Sequence, residues 1–327
     1  MLNNKKSRIL IIKIGALGDI VTASTMIGTI RSKEPDAHIT WLCGKDLSPL
    51  VRLIDGIDEI LTVNRKLISG NVLQKIILTL TVWKLLFFKK YDLCIIGQLG
   101  IKYKLLPIFS RCREVRMFGG RYGPLSGRYR GDEYFRLASG SDNYFSEHAP
   151  LAKISIPSEK NNTVMLFPAG SYDIPLYDGL RRWPVEKYVS LAKRLIERGF
   201  RVGLIGEPRD KWAEKYFDGL EVTSFIGKTT IHELMSLLAG SLALITHDGG
   251  PMHIAYLLDI PVIAMFGPTL HKDFLIETKK AMAISSHPPC SPCYDGKNYA
   301  RCKSNICLQN ISVEQVLHKF DKLITLH

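Results

Sequence analysis

The sequence predicts a doubly wound α/β protein built from two similar halves. Three observations lead there. Short apolar runs, rich in Ile, Val and Leu, recur along the chain and have the composition of strands buried on both faces. Helical stretches separate them, so the order is βαβα, which argues a parallel sheet with helices on both sides. The pattern lapses after Arg111, where Gly, Arg, Tyr and Ser dominate, and restarts near Thr163. A length of 327 residues fits two ordinary domains, and 46% hydrophobic with 23% charged residues gives each a core and excludes a disordered chain.

The elements follow in order. Arg8–Ile14 reads as a buried strand bounded by Lys13 and Gly15, and Ile20–Arg31 as a helix. Ile39–Cys43, Glu59–Val63 and Leu93–Gly97 are further strands. Leu67–Phe88 is the most membrane-like segment, but Asn71, Gln74, Lys75 and Lys84 make it a poor spanning helix. It reads as an amphipathic helix, either packed in the core, the favoured expectation, or lying on a membrane surface. Arg111–Pro157 reads as loops running into a linker at Ile156–Asn162. In the second half, strands are expected at Thr163–Phe167, Arg201–Ile205, Leu242–Ile245 and Pro261–Phe266. Helices are expected at Pro184–Arg198, Arg209–Phe217, Ile231–Ala239 and Val313–Leu326. The domains are thus 1–158 and 159–310, with 311–327 a closing helix able to pack back on the first.

The formal net charge is +13. Between Ile101 and Gly131, Lys102, Lys104, Arg111, Arg113, Arg116, Arg121, Arg128 and Arg130 face a single acid, Glu114. Such a stretch favours a polyanion or an anionic membrane surface, or is a solvated face. No nucleic-acid motif accompanies it, so nucleic acid is not an expected partner. The start leads into a strand rather than a secretory signal, which places the expectation in a reducing cytoplasm.

Four motifs carry chemistry. Gly15–Asp19 (GALGD) follows the first strand, where Asp19 can act as a general base or cap the next helix. Phe167–Ser171 (FPAGS) is a small-residue loop after a strand, able to approach a phosphate through Ser171, with Arg181 or Arg182 of the RRWP segment neutralising it. Trp183 in the same segment reads as a core anchor. Glu207 or Asp210 of GEPRD can accept from ribose hydroxyls or cap a helix. Ile245–His253 (ITHDGGPMH) is a strand, an Asp-Gly-Gly turn and a helix, an arrangement that gathers backbone N–H groups and the positive helix end at one spot. Separately, Cys290, Cys293, Cys302 and Cys307 have the spacing of a structural Zn or Fe site; disulfides or free thiols are the alternatives.

Together, IIKIGALGDIV, FPAGS with RRWP, and ITHDGGPMHIA with IPVIAMFGPT resemble the ADP-heptose–lipopolysaccharide heptosyltransferase family, glycosyltransferase family nine. The resemblance covers most of Arg8–Thr269. It implies the GT-B fold, two Rossmann-like domains facing a cleft, with the acceptor on the first and the nucleotide-sugar donor on the second. At matching positions it makes Asp19 the base that deprotonates the acceptor. Ser171 and Arg181 would lie at the donor diphosphate, Asp248 would bond the donor sugar, Gly249 and Gly250 would cradle phosphate, and His253 would stand near the donor. Glu207 and Asp210 share the ribose position. Lys102, Lys104, Arg121 and Arg128 lie in the acceptor half and would suit an anionic glycolipid. Implied are inverting transfer from a donor such as ADP-heptose to a lipopolysaccharide core, and a peripheral place on the cytoplasmic face of the inner membrane. No DxD-like pair stands out, so no catalytic metal is expected. A sugar-nucleotide epimerase of the same fold and a non-catalytic scaffold are the rival expectations.

Overall fold

The computed structural model describes residues 6–119, 122–123, 127–141, 151–152, 154, 156–172, 179–295, 299–300, 302 and 304–325. It divides into two compact units, Met1–Ile154 and Ser155–His327, a boundary slightly before the one read from the sequence.

The first unit holds strands β1 (Arg8–Ile12), β2 (His38–Gly44), β3 (Glu59–Val63), β4 (Lys90–Ile96) and β5 (Arg111–Met117). Its helices are α1 (Leu17–Ala23), α2 (Thr25–Lys33), α3 (Ser48–Val51), α4 (Val72–Leu86) and α5 (Arg130–Ser139). All strands are parallel, in the order β3-β2-β1-β4-β5. The Ile-rich β1 is central, with Ile11 beside Trp41 on one flank and Ile95 on the other. Strands leave β1 toward β2 on one side and β4 on the other, so the topological switch lies between β1 and β4.

Three sequence expectations need correction here. The single helix Ile20–Arg31 is two helices that meet at Ser24. Ser and Thr hydroxyls compete with the helical ladder at this joint: Thr25 Oγ1 bonds the Thr22 and Gly131 carbonyls, and Ser24 Oγ accepts from Ala152 N. The region read as loops contains β5 and α5. As an edge strand, β5 pairs on one side only and carries exposed charge, which hides its periodicity. Helix α5 buries Tyr134 and Leu137 but also a Glu133–Arg136 ion pair of 2.8 Å, so its inward face is not apolar in sequence. Finally, α4 buries only Leu78, Val82 and Leu86, with Leu85 partly buried against the same core, and leaves Val72, Leu73, Ile76, Ile77 and Leu80 exposed.

The second unit holds β6 (Thr163–Leu166), β7 (Arg201–Leu204), β8 (Val222–Ser224), β9 (Ala243–His247), β10 (Val262–Phe266) and β11 (Ala281–Ser285). Its helices are α6 (Val185–Glu197), α7 (Ile231–Gly240), α8 (Gly250–Leu257), α9 (His271–Phe274), α10 (Ile306–Gln309) and α11 (Val313–Thr325). The helix expected at Arg209–Phe217 is a 3₁₀ run, Pro208–Phe217. All strands are parallel, in the order β11-β10-β9-β6-β7-β8, and the edge strands β8 and β11 were not anticipated. Residues Val185, Tyr188, Leu191, Ala192 and Leu195 form the buried stripe of α6. Trp183 is the expected core anchor, fully buried with Nε1 donating to Ile311 O at 3.0 Å. The closing helix α11 seats Val316, Leu317, Phe320 and Leu323 in this same core, so its apolar face is taken up within the second unit. Among the described residues, no helix is long and apolar enough to cross a membrane.

In this sheet the order reverses between β6 and β9. Open parallel sheets bind ligands beyond the carboxyl ends of their strands at such a switch. The loops that leave β6 and β9 are FPAGS and HDGG.

Candidate active site

The FPAGS loop turns sharply after β6. Gly170 has φ +87°, and a Cβ there would stand 2.3 Å from the Phe167 ring, so only glycine fits. Gly170 N donates to Asp210 Oδ1 (3.1 Å) while Asp210 Oδ2 accepts from Glu207 N (2.7 Å). Asp210 is fully buried, so it braces the loop from beneath and does not reach outward to a ribose. Glu207 is the exposed member of the pair, ion-paired with Arg209 Nε at 2.9 Å.

The two arginines also separate. Arg182 Nη2 donates to Gly170 O at 2.6 Å, and its guanidinium lies 4.8 Å from the Trp212 ring and 5.3 Å from the Tyr172 ring. It holds the loop. Arg181 Nη1 meets Asp248 Oδ2 at 3.2 Å, with 16% side-chain exposure against 4% for Asp248. Thr269 Oγ1 donates to the same Asp248 oxygen at 2.7 Å. Burial opposes charge on Asp248, but Arg181, the Thr269 hydroxyl and His253 outweigh it and hold the carboxyl below its usual range. Asp248 therefore anchors Arg181, a role its sequence position did not indicate.

Directly after Asp248, Gly249 is the N-cap of α8 and Gly250 its first residue. Helix N–H groups without intrahelical acceptors point outward here, and the helix dipole adds positive potential. A Cβ on Gly249 would meet Phe167 Cε1 at 3.2 Å, which shows how closely the two loops approach. Beneath them, Phe167 stacks on His247 with centroids 5.2 Å apart, and His247 Nδ1 pairs with Tyr188 Oη at 3.1 Å. Burial first, then the Arg181 and Arg182 cations, push the His247 pKa down to about 3, so its ring is neutral at pH 7. His253 sits almost buried in the first turn of α8. Ser171 stands at the loop tip with φ +65°. The second unit thus brings Ser171, Arg181, Asp248, Gly249, Gly250 and His253 to the ends of two adjacent strands.

In the first unit, Asp19 is the third residue of α1, and the N-cap position belongs to Ala16. Asp19 therefore does not hold the N-cap position but stands as an acid in the first turn. Its Oδ2 instead lies 2.8 Å from Lys13 Nζ, which also donates to Gln98 Oε1 at 3.1 Å. Lys13 side-chain exposure is 4% against 44% for Asp19, so a buried cation holds a half-exposed carboxylate. Burial disfavours the Lys13 charge, but Asp19 and Tyr134 reverse this and raise its pKa. Lys13 was missed as a site residue; its signal was a lone lysine inside the apolar run RILIIKIG.

The basic stretch does not act as one patch. Arg113 pairs with Asp92 (3.3 Å), and Arg116 pairs with Glu114 (2.6 Å) while bonding Ala138 O. Lys102 and Lys104 are exposed on a 3₁₀ turn, Ile101–Leu105. Arg128 lies just before α5, and Arg121 falls outside the described residues. The four late cysteines form no disulfide: Cys290 is exposed, Cys293 and Cys302 are half-buried and Cys307 is buried. Burial, then its cysteine neighbours, push the Cys307 thiol up to about 11. No group of three or more His, Cys, Asp or Glu able to hold a metal occurs among the described residues.

Comparison with known proteins adds a resemblance. Residues 144–303 match the model of glycosyltransferase family 9 (heptosyltransferase), a match that spans just under half of the chain. The chain is a glycosyltransferase. The enzyme is similar to lipopolysaccharide heptosyltransferase 2 of Salmonella typhimurium, 22% identical over 307 residues, covering 80% of this chain and 83% of that protein. A shorter stretch of 96 residues is 38% identical to lipooligosaccharide heptosyltransferase 2 of Haemophilus influenzae, 27% of this chain and 28% of that protein. In fold, the enzyme matches the structure of Escherichia coli ADP-heptose lipopolysaccharide heptosyltransferase II with a TM-score of 0.75 at 20% identity, covering 98% and 99% of the two chains. Its architecture is of the GT-B type. The FPAGS, RRWP and HDGG segments lie inside the matched residues; GALGD lies outside them.

Proposed function

We propose that the enzyme transfers heptose from ADP-heptose to a hydroxyl of a lipopolysaccharide core acceptor, with inversion at the anomeric carbon. The observation that carries this reading is the Arg181–Asp248 pair beside the N-terminus of α8, at the switch point of the second sheet. As the glycosidic bond breaks, negative charge builds on the departing diphosphate. A cation already fixed by a buried carboxylate, next to outward-pointing helix N–H groups, stabilises that charge without reorganising. Ser171 adds a hydroxyl donor at the loop tip, and Glu207 accepts from the ribose.

Asp19 takes the proton of the acceptor hydroxyl, which attacks the face opposite the leaving group through an oxocarbenium-like transition state. Lys13 positions it. Exposed Lys102 and Lys104, with Arg121 and Arg128, meet an anionic acceptor that is itself lipid-anchored, so the enzyme works at the cytoplasmic face of the inner membrane. Calorimetric titration with ADP, GDP and UDP tests the donor. Selective binding of ADP is expected. Preference for GDP or UDP, or no binding of any, contradicts the assignment.

A further inference from the structure

Helix α4 is apolar on two opposite sides. One side packs inward through Leu78, Val82 and Leu86. At 100° per residue, Leu73, Ile76, Ile77, Leu80 and Phe87 fall on the other side, and all are exposed. The surface continues onto the segment after β4. Trp83 Nε1 donates to Leu105 O at 2.8 Å and its ring meets Phe109 edge-on at 4.8 Å, so exposed Ile101, Ile108 and Phe109 extend the same face. Leu73 and Ile101 are 64% and 75% exposed. A contiguous apolar face of this kind, rimmed by charge, marks an interaction surface.

Charge chooses its occupant. Neither Asn71–Lys90 nor Leu99–Arg113 contains an Asp or Glu. Lys84 falls among the outward residues of α4 at 100° per residue, and Lys90, Lys102, Lys104 and Arg111 are exposed on the adjoining segments. Asp92 and Glu114, which follow these segments in sequence, are ion-paired to Arg113 and Arg116, and Glu59 is ion-paired to Lys89. Two copies of so basic a face repel one another, whereas an anionic bilayer satisfies both the charge and the aliphatic stripe. Lysine stems reach past apolar neighbours to the headgroups while Leu, Ile and Phe enter the acyl boundary.

We propose that this face of the first unit, α4 with the Ile101–Phe109 segment, inserts into an anionic lipid bilayer. The inference extends the lipid-anchored acceptor of the preceding section and is independent of the nucleotide chemistry.

Co-sedimentation of the full-length enzyme with vesicles of phosphatidylcholine alone, and of phosphatidylcholine mixed with phosphatidylglycerol, tests it. Binding to the anionic vesicles is expected to be at least about tenfold tighter and to weaken with salt. The triple variant Leu73→Gln, Ile77→Gln, Leu80→Gln is expected to lose at least about tenfold in vesicle affinity. These side chains face solvent, so its melting temperature and ADP affinity are expected to match wild type. Lys84→Glu with Lys90→Glu should remove the preference for anionic vesicles. The proposal is overturned by equal binding to both vesicles, by no binding at low ionic strength, or by undiminished binding of the triple variant. Wild-type dimers that the triple variant converts to monomers, without vesicle binding, would overturn it in favour of self-association. Loss of ADP binding by wild type bears on the donor assignment alone, since ADP is titrated without lipid.

Discussion

Replacing Asp19 by Asn is expected to lower turnover by about 10²–10⁴-fold, the range a positioned general base contributes. The amide keeps the size of the carboxylate and can still accept from Lys13 Nζ, which now lies 2.8 Å from Oδ2. What it loses is the capacity to take a proton from the attacking hydroxyl. ADP affinity is expected to stay unchanged, because Asp19 belongs to the first unit and the elements proposed to hold the diphosphate to the second. Steady-state kinetics together with calorimetry separate the two effects. A variant within about threefold of wild-type turnover would remove Asp19 from the role of base. The Lys13→Met variant is a useful companion: it leaves the carboxylate in place without the Lys13 cation, so it reports on positioning rather than proton transfer.

The second large effect is expected at Arg181. Arg181→Ala removes the cation proposed to meet the donor diphosphate and leaves Asp248, which is 4% exposed, with the Thr269 hydroxyl but without its ion-pair partner Arg181. Deleting one partner of a buried pair costs about 3–5 kcal/mol; the 16% exposure of Arg181 puts this case toward the lower end. A melting temperature several degrees below wild type is therefore expected. ADP affinity is expected to fall roughly 10- to 100-fold, the value of one charge-assisted hydrogen bond. Because stability and binding fall together, Arg181→Lys serves as the control. It restores the charge beside Asp248 and most of the stability, but not the planar guanidinium fork, so ADP affinity should recover only in part. Unchanged ADP affinity in Arg181→Ala, by calorimetry on folded protein, would remove Arg181 from the diphosphate.

The parts of this molecule that show in its sequence are those buried on both faces. Strands β1, β9 and β10 are continuous apolar runs because helices cover them on both sides, and periodicity finds them. Edge strands show less reliably: β3 is legible at Glu59–Val63, but β5 is written RCREVRM because one of its flanks meets solvent. Helix α4 misled in the opposite direction. Its residues are apolar enough for a core, yet composition does not say which of two apolar sides finds a partner.

At the site, glycines and turn spacing located the loops, but not the division of labour within them. Arg181 and Arg182 are neighbours in sequence and serve different partners, one Asp248 and the other the Gly170 carbonyl. Glu207 and Asp210 are likewise separated by burial, which only the 3₁₀ run Pro208–Phe217 decides. Lys13 and Thr269 act through contacts to Asp19 and Asp248 that bridge turns, and nothing in local spacing points to them beyond the oddity of a lysine in a strand.

The most direct measurement is the transfer reaction itself. The purified enzyme is incubated with ADP-heptose and a heptose-deficient lipopolysaccharide core, and the product is read by mass spectrometry and by NMR of the new anomeric centre. Heptosyl transfer predicts a core heavier by one heptosyl residue, release of ADP, and an anomeric configuration opposite to that of the donor. A core left unchanged while ADP-heptose is bound or hydrolysed, or a product that retains the donor configuration, would contradict it.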